Sequence, residues 1–260
     1  MPQSSLEILD QDGVRVLRLN RPPSNALSLS LLAEIRAAAQ AAGQDAAARA
    51  VVLDSALPKY FSSGLDLEDF PENDARAQEE VFLAMVAAHR ALAGCPKPVI
   101  AAARGAALLG GFILALACDF RFLSAERGRV SLAELRLGIS PTSPILRQVD
   151  ALSAAPGLIK EMILKAKTLD AQEALSAGLA DKIFPEEGFE AAVMKEARIL
   201  SGAAPKAYAA VKRARRAAVL GQDEDAAWEE GRRELRELLS GAEAQEGIAA
   251  LRGKRRPKWP

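Results

Sequence analysis

The stretch from Val99 to Cys118 is nearly all apolar, VIAAARGAALLGGFILALAC. So much apolar surface must leave water, either in a bilayer or at the centre of a folded core. Arg104 interrupts it, and the uninterrupted part from Gly105 to Cys118 is too short to span a bilayer. The remaining solution is a buried strand over 98–103 followed by a buried helix over 110–117. A strand that is apolar on both faces needs cover on both, which points to an α/β fold with a largely parallel sheet. The chain has room for this. Its 260 residues, half of them hydrophobic and 26% charged, suit one domain, or a main domain with an appendage, and exclude extensive disorder.

The flanking sequence repeats the strand, loop, helix order. Residues 6–10 and 14–19 alternate around Asp12-Gly13, a hairpin signature. Arg21-Pro22-Pro23-Ser24-Asn25 is a rigid connector, and Ser28 then caps an Ala/Leu-rich helix to about Gly43. A short buried strand is expected over 50–54, a loop over 58–64, an amphipathic helix over 74–94 and an extended segment over 119–124. From about Pro144 helices dominate, over 144–152, 159–164, 170–177, 189–201, 205–220, 223–239 and 242–251, with only 181–184 extended. The expected organisation is an α/β core over residues 1–195 and a helical region over 196–260.

Composition narrows the function. Lys+Arg and Asp+Glu are both 34, so net charge is zero, which argues against nucleic-acid binding driven by bulk positive charge. A single histidine, His89, cannot build a His-rich metal site and gives a poor basis for a His-dependent triad. Two cysteines, Cys95 and Cys118, without CxxC spacing exclude a disulfide framework and a zinc ribbon. Neither a secretory signal nor a membrane span is legible, so the expected location is the cytoplasm. His89 is read as solvated on the polar side of its helix, Cys95 and Cys118 as structural, and Trp228 and Trp259 as candidates for subunit contacts. The basic tail over 254–258 reads as a solvated end, with contact to an anionic ligand or an RNA as the alternative.

Three segments could carry chemistry. Phe61-Ser62-Ser63-Gly64-Leu65-Asp66-Leu67 holds a permissive glycine in a turn that could present backbone N–H groups to a cleft, or could be an ordinary turn. Gly110-Gly111 opens an apolar helix whose unpaired amides attract developing negative charge, or simply allows tight helix packing. Neither a GxGxxG nor a Walker A pattern is met there. Glu134, in Val130-Ser131-Leu132-Ala133-Glu134-Leu135-Arg136, is a carboxylate among apolar neighbours. It is either a desolvated base or a salt-bridge partner of Arg136 or Arg129.

Taken together and in order, these segments resemble the crotonase superfamily, also called the enoyl-CoA hydratase/isomerase family. The likeness rests on Arg21-Pro22-Pro23-Ser24-Asn25-Ala26-Leu27, the 61–67 segment, Gly110-Gly111 with Cys118-Asp119, and Glu134-Leu135-Arg136-Leu137-Gly138-Ile139. It runs from about residue 5 to 190. The resemblance implies a crotonase-like ββα superhelix core, and a C-terminal helical region that forms trimers or dimers of trimers. It also implies an acyl-coenzyme A substrate and neither metal nor cofactor. By motif position, the backbone amides of Leu65 and Gly110 would form an oxyanion hole and Glu134 would be the catalytic acid/base. Ala26, Ser63, Gly64, Asp66, Leu67, Gly111 and Ala133 would line the substrate site, with Lys59 a candidate phosphate contact.

Hydratases of this family resemble one another in carrying two glutamates, one of them three residues after the oxyanion-hole glycine. That position here is Ile113. Isoleucine can neither activate water nor donate a proton, so a double-bond shift by the single Glu134 is the expected reaction, as in the Δ3,Δ2-enoyl-CoA isomerases. The alternatives are a hydratase borrowing Glu68 or Asp69, a thioesterase, and a non-catalytic acyl-CoA- or RNA-binding protein.

Overall fold

The computed structural model of the protein describes residues 5–71 and 73–260. The first half of the chain runs β1 (Leu6–Gln11), β2 (Val14–Leu19), α1 (Leu29–Gln44), β3 (Ala50–Ser55), β4 (Tyr60–Ser62), α2 (Ala75–Gly94), β5 (Val99–Ala103), β6 (Ala106–Leu108), α3 (Gly110–Leu116), β7 (Phe120–Ser124) and β8 (Arg129–Ser131). A 3-10 turn, Glu134–Leu137, leads to α4 (Ser143–Leu152), α5 (Pro156–Leu164), β9 (Leu169–Asp170), α6 (Ala171–Ser176), β10 (Lys182–Phe184), α7 (Phe189–Ser201), α8 (Pro205–Leu220), α9 (Glu224–Leu239) and α10 (Ala242–Arg252).

Every residue of β5 is buried, and the strand lies inside a sheet of order β1-β2-β3-β5-β7-β10. The β1–β2 hairpin is antiparallel and the remaining pairs are parallel. The two faces of this sheet bury different clusters at a period of two. Val51, Leu53, Val99, Ala101 and Ala103 point into the cluster that also takes side chains of α1, α2 and α3. Ala50, Val52, Ile100 and Ala102 point the other way, against Phe189, Val193, Met194 and Ala197 of α7. Helices cover both faces, and this explains why the strands read as continuous apolar runs.

A second sheet, of order β4-β6-β8-β9, carries the chain from this core to the site. The segment over 58–64, expected to be a loop, contains β4, and β6, β8 and β9 were also not anticipated. These strands have two or three residues, too few to show an alternation in sequence. The crossing from β5 to β6 is tight. A Cβ at Gly105 would lie 2.4 Å from the Lys59 carbonyl carbon, and Ala106 N donates to Lys59 O at 3.0 Å.

Helix starts follow the sequence closely: Ser28, Asp74, Asp170 and Asp223 each accept a backbone N–H as N-caps. The expected boundary at 195/196 falls inside α7, which packs on the sheet, and Leu220, Ala227 and Trp228 beyond it join the main core cluster. His89 corrects the sequence reading. It is 1% exposed, its ring 5.0 Å from that of Trp228 in an edge-on pair. Trp228 is therefore an internal packing residue whose Nε1 donates to Glu224, while Trp259 is exposed. The cover for this face of α2 comes from α9, more than a hundred residues along the chain. Cys95 and Cys118 are buried as free thiols.

α9 and α10 return to the N-terminal part of the same chain. Phe70, Val81, Phe82 and Ile139 bury Leu235, Leu239, Ala244 and Ile248, each fully buried aliphatic side chain contributing about 1.5–3 kcal/mol. Gln245 ties α10 to the start of α2, and Arg252 donates to Phe70 O at 2.8 Å. α10 sits directly on the 3-10 turn, since a Cβ at Gly247 would lie 2.3 Å from the Leu137 carbonyl carbon. Gly247→Ala should therefore lift α10 off that turn and cost about 1–3 kcal/mol. Gly157→Ala, with nothing within 4 Å, should be neutral or slightly stabilising. Thermal denaturation of the two variants against the parent checks this, and equal melting temperatures would contradict the packing.

Candidate active site

Two main-chain segments meet where β4 ends and α3 begins. Leu27 and Leu65 form a parallel bridge in which Leu27 N donates to Gly64 O at 2.8 Å and Asp66 N to Leu27 O at 3.1 Å. That pattern uses the groups on either side of Leu65 and turns the Leu65 amide away from Leu27. On this other side lies Gly110. A Cβ built at Gly110 would stand 3.5 Å from Leu65 N, and one at Gly64 would stand 3.3 Å from Gly110 N. Gly64 has φ +100°, and Gly111 comes so close to β4 that a Cβ would lie 2.5 Å from Ser62 O. Glycine at 64 and 111 is what lets the two backbones touch, and Gly110 leaves room for the Met85 methyl.

Gly110 is the first residue of α3, so its N–H has no carbonyl inside the helix to bond. Its direction is set by Leu109, which has φ 51° and ψ −128°. A non-glycine residue there is strained by about 1–3 kcal/mol. What holds it is the bond from Leu109 N to Ser131 O, 2.9 Å, at the end of the β6–β8 ladder. The result is a pair of adjacent amides, Leu65 and Gly110, neither bonded to a backbone carbonyl among the described residues. They can receive an oxygen that gains negative charge.

Glu134 begins the 3-10 turn three residues beyond Ser131, within about 10 Å of it along the chain. It is 5% exposed, and neither carboxylate oxygen has a hydrogen-bond partner. Both expected salt-bridge partners are occupied elsewhere: Arg136 donates to Ala166 O, and Arg129 to Glu126 O and Gly128 O. Burial pushes the Glu134 pKa up to about 8, offset only partly by its own backbone amide. A carboxyl titrating near neutrality can both take and return a proton.

The other expected residues divide. Ala26, Ser63, Gly64, Asp66 and Leu67 lie on the strip joined by the Leu27–Leu65 bridge. Several of their backbone groups are already engaged: Ser63 N donates to Ser24 O, and Ala26 O accepts from Arg21 and Ser28. Gly111 packs on Ser62, and Ala133 is the half-buried residue preceding Glu134. Lys59 is exposed and immediately precedes β4. Glu68 is exposed, and Asp69 accepts from Leu29 N at 2.8 Å. Phe112 and Ile113 are buried in the core cluster.

Sequence reasoning missed the supports. Arg21 forms an ion pair with Asp66 at 2.5 Å. Asn25, fully buried at φ 51°, spans the connector and β4 by bonding Ser55 Oγ, Phe61 O and Arg21 N. An asparagine after two prolines is a turn signal, but its partners come from 30 and 36 residues away. Among the described residues no group of three His, Cys, Asp or Glu side chains is placed to hold a metal ion, and no helix is long and apolar enough to cross a membrane.

Known proteins resemble the chain along nearly its whole length. The family described as enoyl-CoA hydratase/isomerase matches residues 10–260. The 2,3-dehydroadipyl-CoA hydratase of Escherichia coli is 32% identical over 265 residues, covering 98% of each chain. The probable enoyl-CoA hydratase EchA17 of Mycobacterium tuberculosis is 33% identical over 201 residues, 77% of this chain and 76% of the relative. A solved enoyl-CoA hydratase from Mycobacterium avium subsp. paratuberculosis superposes with a TM-score of 0.85 at 30% identity, covering all of both chains. With two free amides, a buried carboxyl and this fold, the chain belongs to the enoyl-CoA hydratase/isomerase family of the crotonase superfamily.

Proposed function

We propose that the protein is a Δ3,Δ2-enoyl-CoA isomerase. The observation that carries this reading is a buried, unpartnered carboxyl, Glu134, three residues beyond Ser131, whose carbonyl holds Leu109 and so the Gly110 amide, with Ile113 standing one turn into α3 where a hydratase of this family would carry its second acid. The acids nearest the strip are committed or exposed: Asp66 pairs with Arg21, Asp69 holds the start of α1, and Glu68 faces solvent.

In this reaction the thioester oxygen of a 3-enoyl-CoA sits between Leu65 N and Gly110 N. The Glu134 carboxylate takes a proton from C2, and the electron pair moves through the carbonyl carbon onto oxygen. The amides stabilise that dienolate, and removal of such a donor typically costs roughly a hundredfold or more in rate. Glu134 then gives its proton to C4, leaving a 2-enoyl-CoA and a carboxylate ready for the next cycle. Relatives named as hydratases favour a second reading, addition of water across a 2-enoyl-CoA. Assays with 3-hexenoyl-CoA and with crotonyl-CoA separate the two: conversion of the first without appreciable hydration of the second is expected, and the reverse would sink the proposal.

The protonation state gives a second test. The free enzyme must start as the carboxylate, so kcat/KM should rise with pH through about 8 and level off above it. A profile flat from pH 6 to 9 would show that Glu134 is not the base.

Glu134→Gln should lower isomerisation by roughly a hundredfold to ten-thousandfold. The same change should stabilise the protein. Because the folded-state pKa of Glu134 lies above its ordinary value of 4.5, the folded form keeps a proton that the unfolded form loses between those values. Stability from this group therefore falls as pH rises from about 4.5 to 8. The Gln variant should exceed the parent by on the order of 1–3 kcal/mol at pH 8, with the gap closing near pH 4.5. Urea denaturation at the two pH values reads the difference.

A further inference from the structure

Gly110 supplies one of the two free amides, yet its own conformation does not call for glycine. It is the first residue of α3 and lies outside the left-handed region that Gly64 occupies. Backbone crowding does not call for it either. A Cβ at Gly110 would stand 3.5 Å from Leu65 N and 3.6 Å from Gly64 Cα, which are ordinary contacts. What forbids a side chain is the terminal methyl of Met85, whose Cε would lie 2.5 Å from that Cβ.

Met85 reaches this point from α2, one turn beyond Val81 and Phe82. It is 2% exposed and belongs to the core cluster that holds Phe61 and Phe112. Its methyl lies within about 4 Å of Gly110 Cα and within about 6 Å of Leu65 N, so it fills the place where a side chain of residue 110 would begin. The other restraints act on the preceding residue: Leu109 N donates to Ser131 O, and Leu109 O accepts from Phe112 N and Ile113 N. Leu109 is also the strained residue, at φ 51°. Without the methyl, Gly110 would have a void beside its Cα and a strained neighbour before it, and the peptide plane between the two would be free to tilt.

We propose that Met85 is a positioning residue for the Gly110 amide. A long side chain at 85 and none at 110 act as one unit, in which the Met85 methyl braces the Gly110 backbone and so aims its N–H at the thioester oxygen. An unbranched thioether suits the task, because it can extend along α3 and fill an irregular gap. The inference rests on the reading that the Leu65 and Gly110 amides receive that oxygen. It does not depend on whether isomerisation or hydration follows.

The test reads the amide directly. Hexanoyl-CoA labelled with carbon-13 at the thioester carbonyl has no double bond to shift, so its carbonyl stretch in isotope-edited infrared spectra reports the hydrogen bonds on the oxygen. Bound at saturation to the full chain, the band should fall below its frequency in water. Met85→Ala should lose about half of that lowering or more, and Met85→Leu, of nearly equal volume, should keep most of it. Met85→Val leaves a smaller void, takes the place of Met85→Ala where that variant does not fold, and should show the same loss in part. Gly110→Ala, which drives a Cβ into the Met85 methyl, should lose most of the lowering. Met85→Ala/Gly110→Ala, in which the new Cβ takes the place of the methyl, should regain about half of it or more. An unchanged band on shortening Met85, or a double variant no better than Gly110→Ala, would overturn the role of Met85. A parent band that binding does not lower would overturn the oxyanion reading as well, so the two failures are told apart.

Discussion

Everything at the site depends on the contact between the backbone at Gly64–Leu65 and the backbone at Gly110. The two segments come from different parts of the chain, one leaving β4 and the other entering α3, and side chains at 64 or 111 would push them apart. The contact is held from three directions. The Leu27–Leu65 bridge fixes the first amide, the Leu109–Ser131 bond fixes the second, and packing of Gly111 on Ser62 sets the spacing between them. Each of these is a backbone constraint, so the site tolerates variation in side chains as long as the glycines and the strand register persist. That is consistent with a fold retained at about 30% identity across relatives that differ at most other positions.

The strain at Leu109 fits the same logic. A residue at φ 51° and ψ −128° gains nothing locally, and the ladder between β6 and β8 keeps it there. What the strain provides is the orientation of one peptide plane, and with it the aim of the Gly110 amide. The burial of Glu134 is a comparable cost. A carboxyl buried without a partner side chain lowers stability at neutral pH, and its own backbone amide offsets this only partly. Both features weaken the fold at the point where they prepare a place for negative charge and a mobile proton.

The sequence made some of this legible and hid the rest for physical reasons. The buried strand and helix within 98–118 were readable because a long apolar run has few folded solutions, and the helix starts at Ser28 and Asp74 because capping is local chemistry. Glu134 stood out as an acid among apolar neighbours, but its own surroundings in sequence left a salt bridge to Arg136 or Arg129 open. Only the structure shows both arginines turned to backbone carbonyls. The short strands β4, β6, β8 and β9 escaped notice because two or three residues show no period. His89 was misread because its cover, Trp228, is supplied by α9 far along the chain.

The C-terminal helices show how far such non-local effects reach. Within its own chain α10 is packed against the 3-10 turn that begins with Glu134 and against the 67–70 segment. Gly138 and Gly247 are the points of closest approach: a Cβ at Gly138 would lie 2.6 Å from the Glu243 carbonyl carbon. α10 is therefore packed on the Leu137–Gly138 end of the turn, while Leu135 and Arg136 stay exposed and the Glu134 side chain turns inward to 5% exposure. Helix packing more than a hundred residues downstream thus holds the turn that carries the acid, so a change that loosens α10 without touching Glu134 should let water reach the carboxyl and return it toward its ordinary titration range.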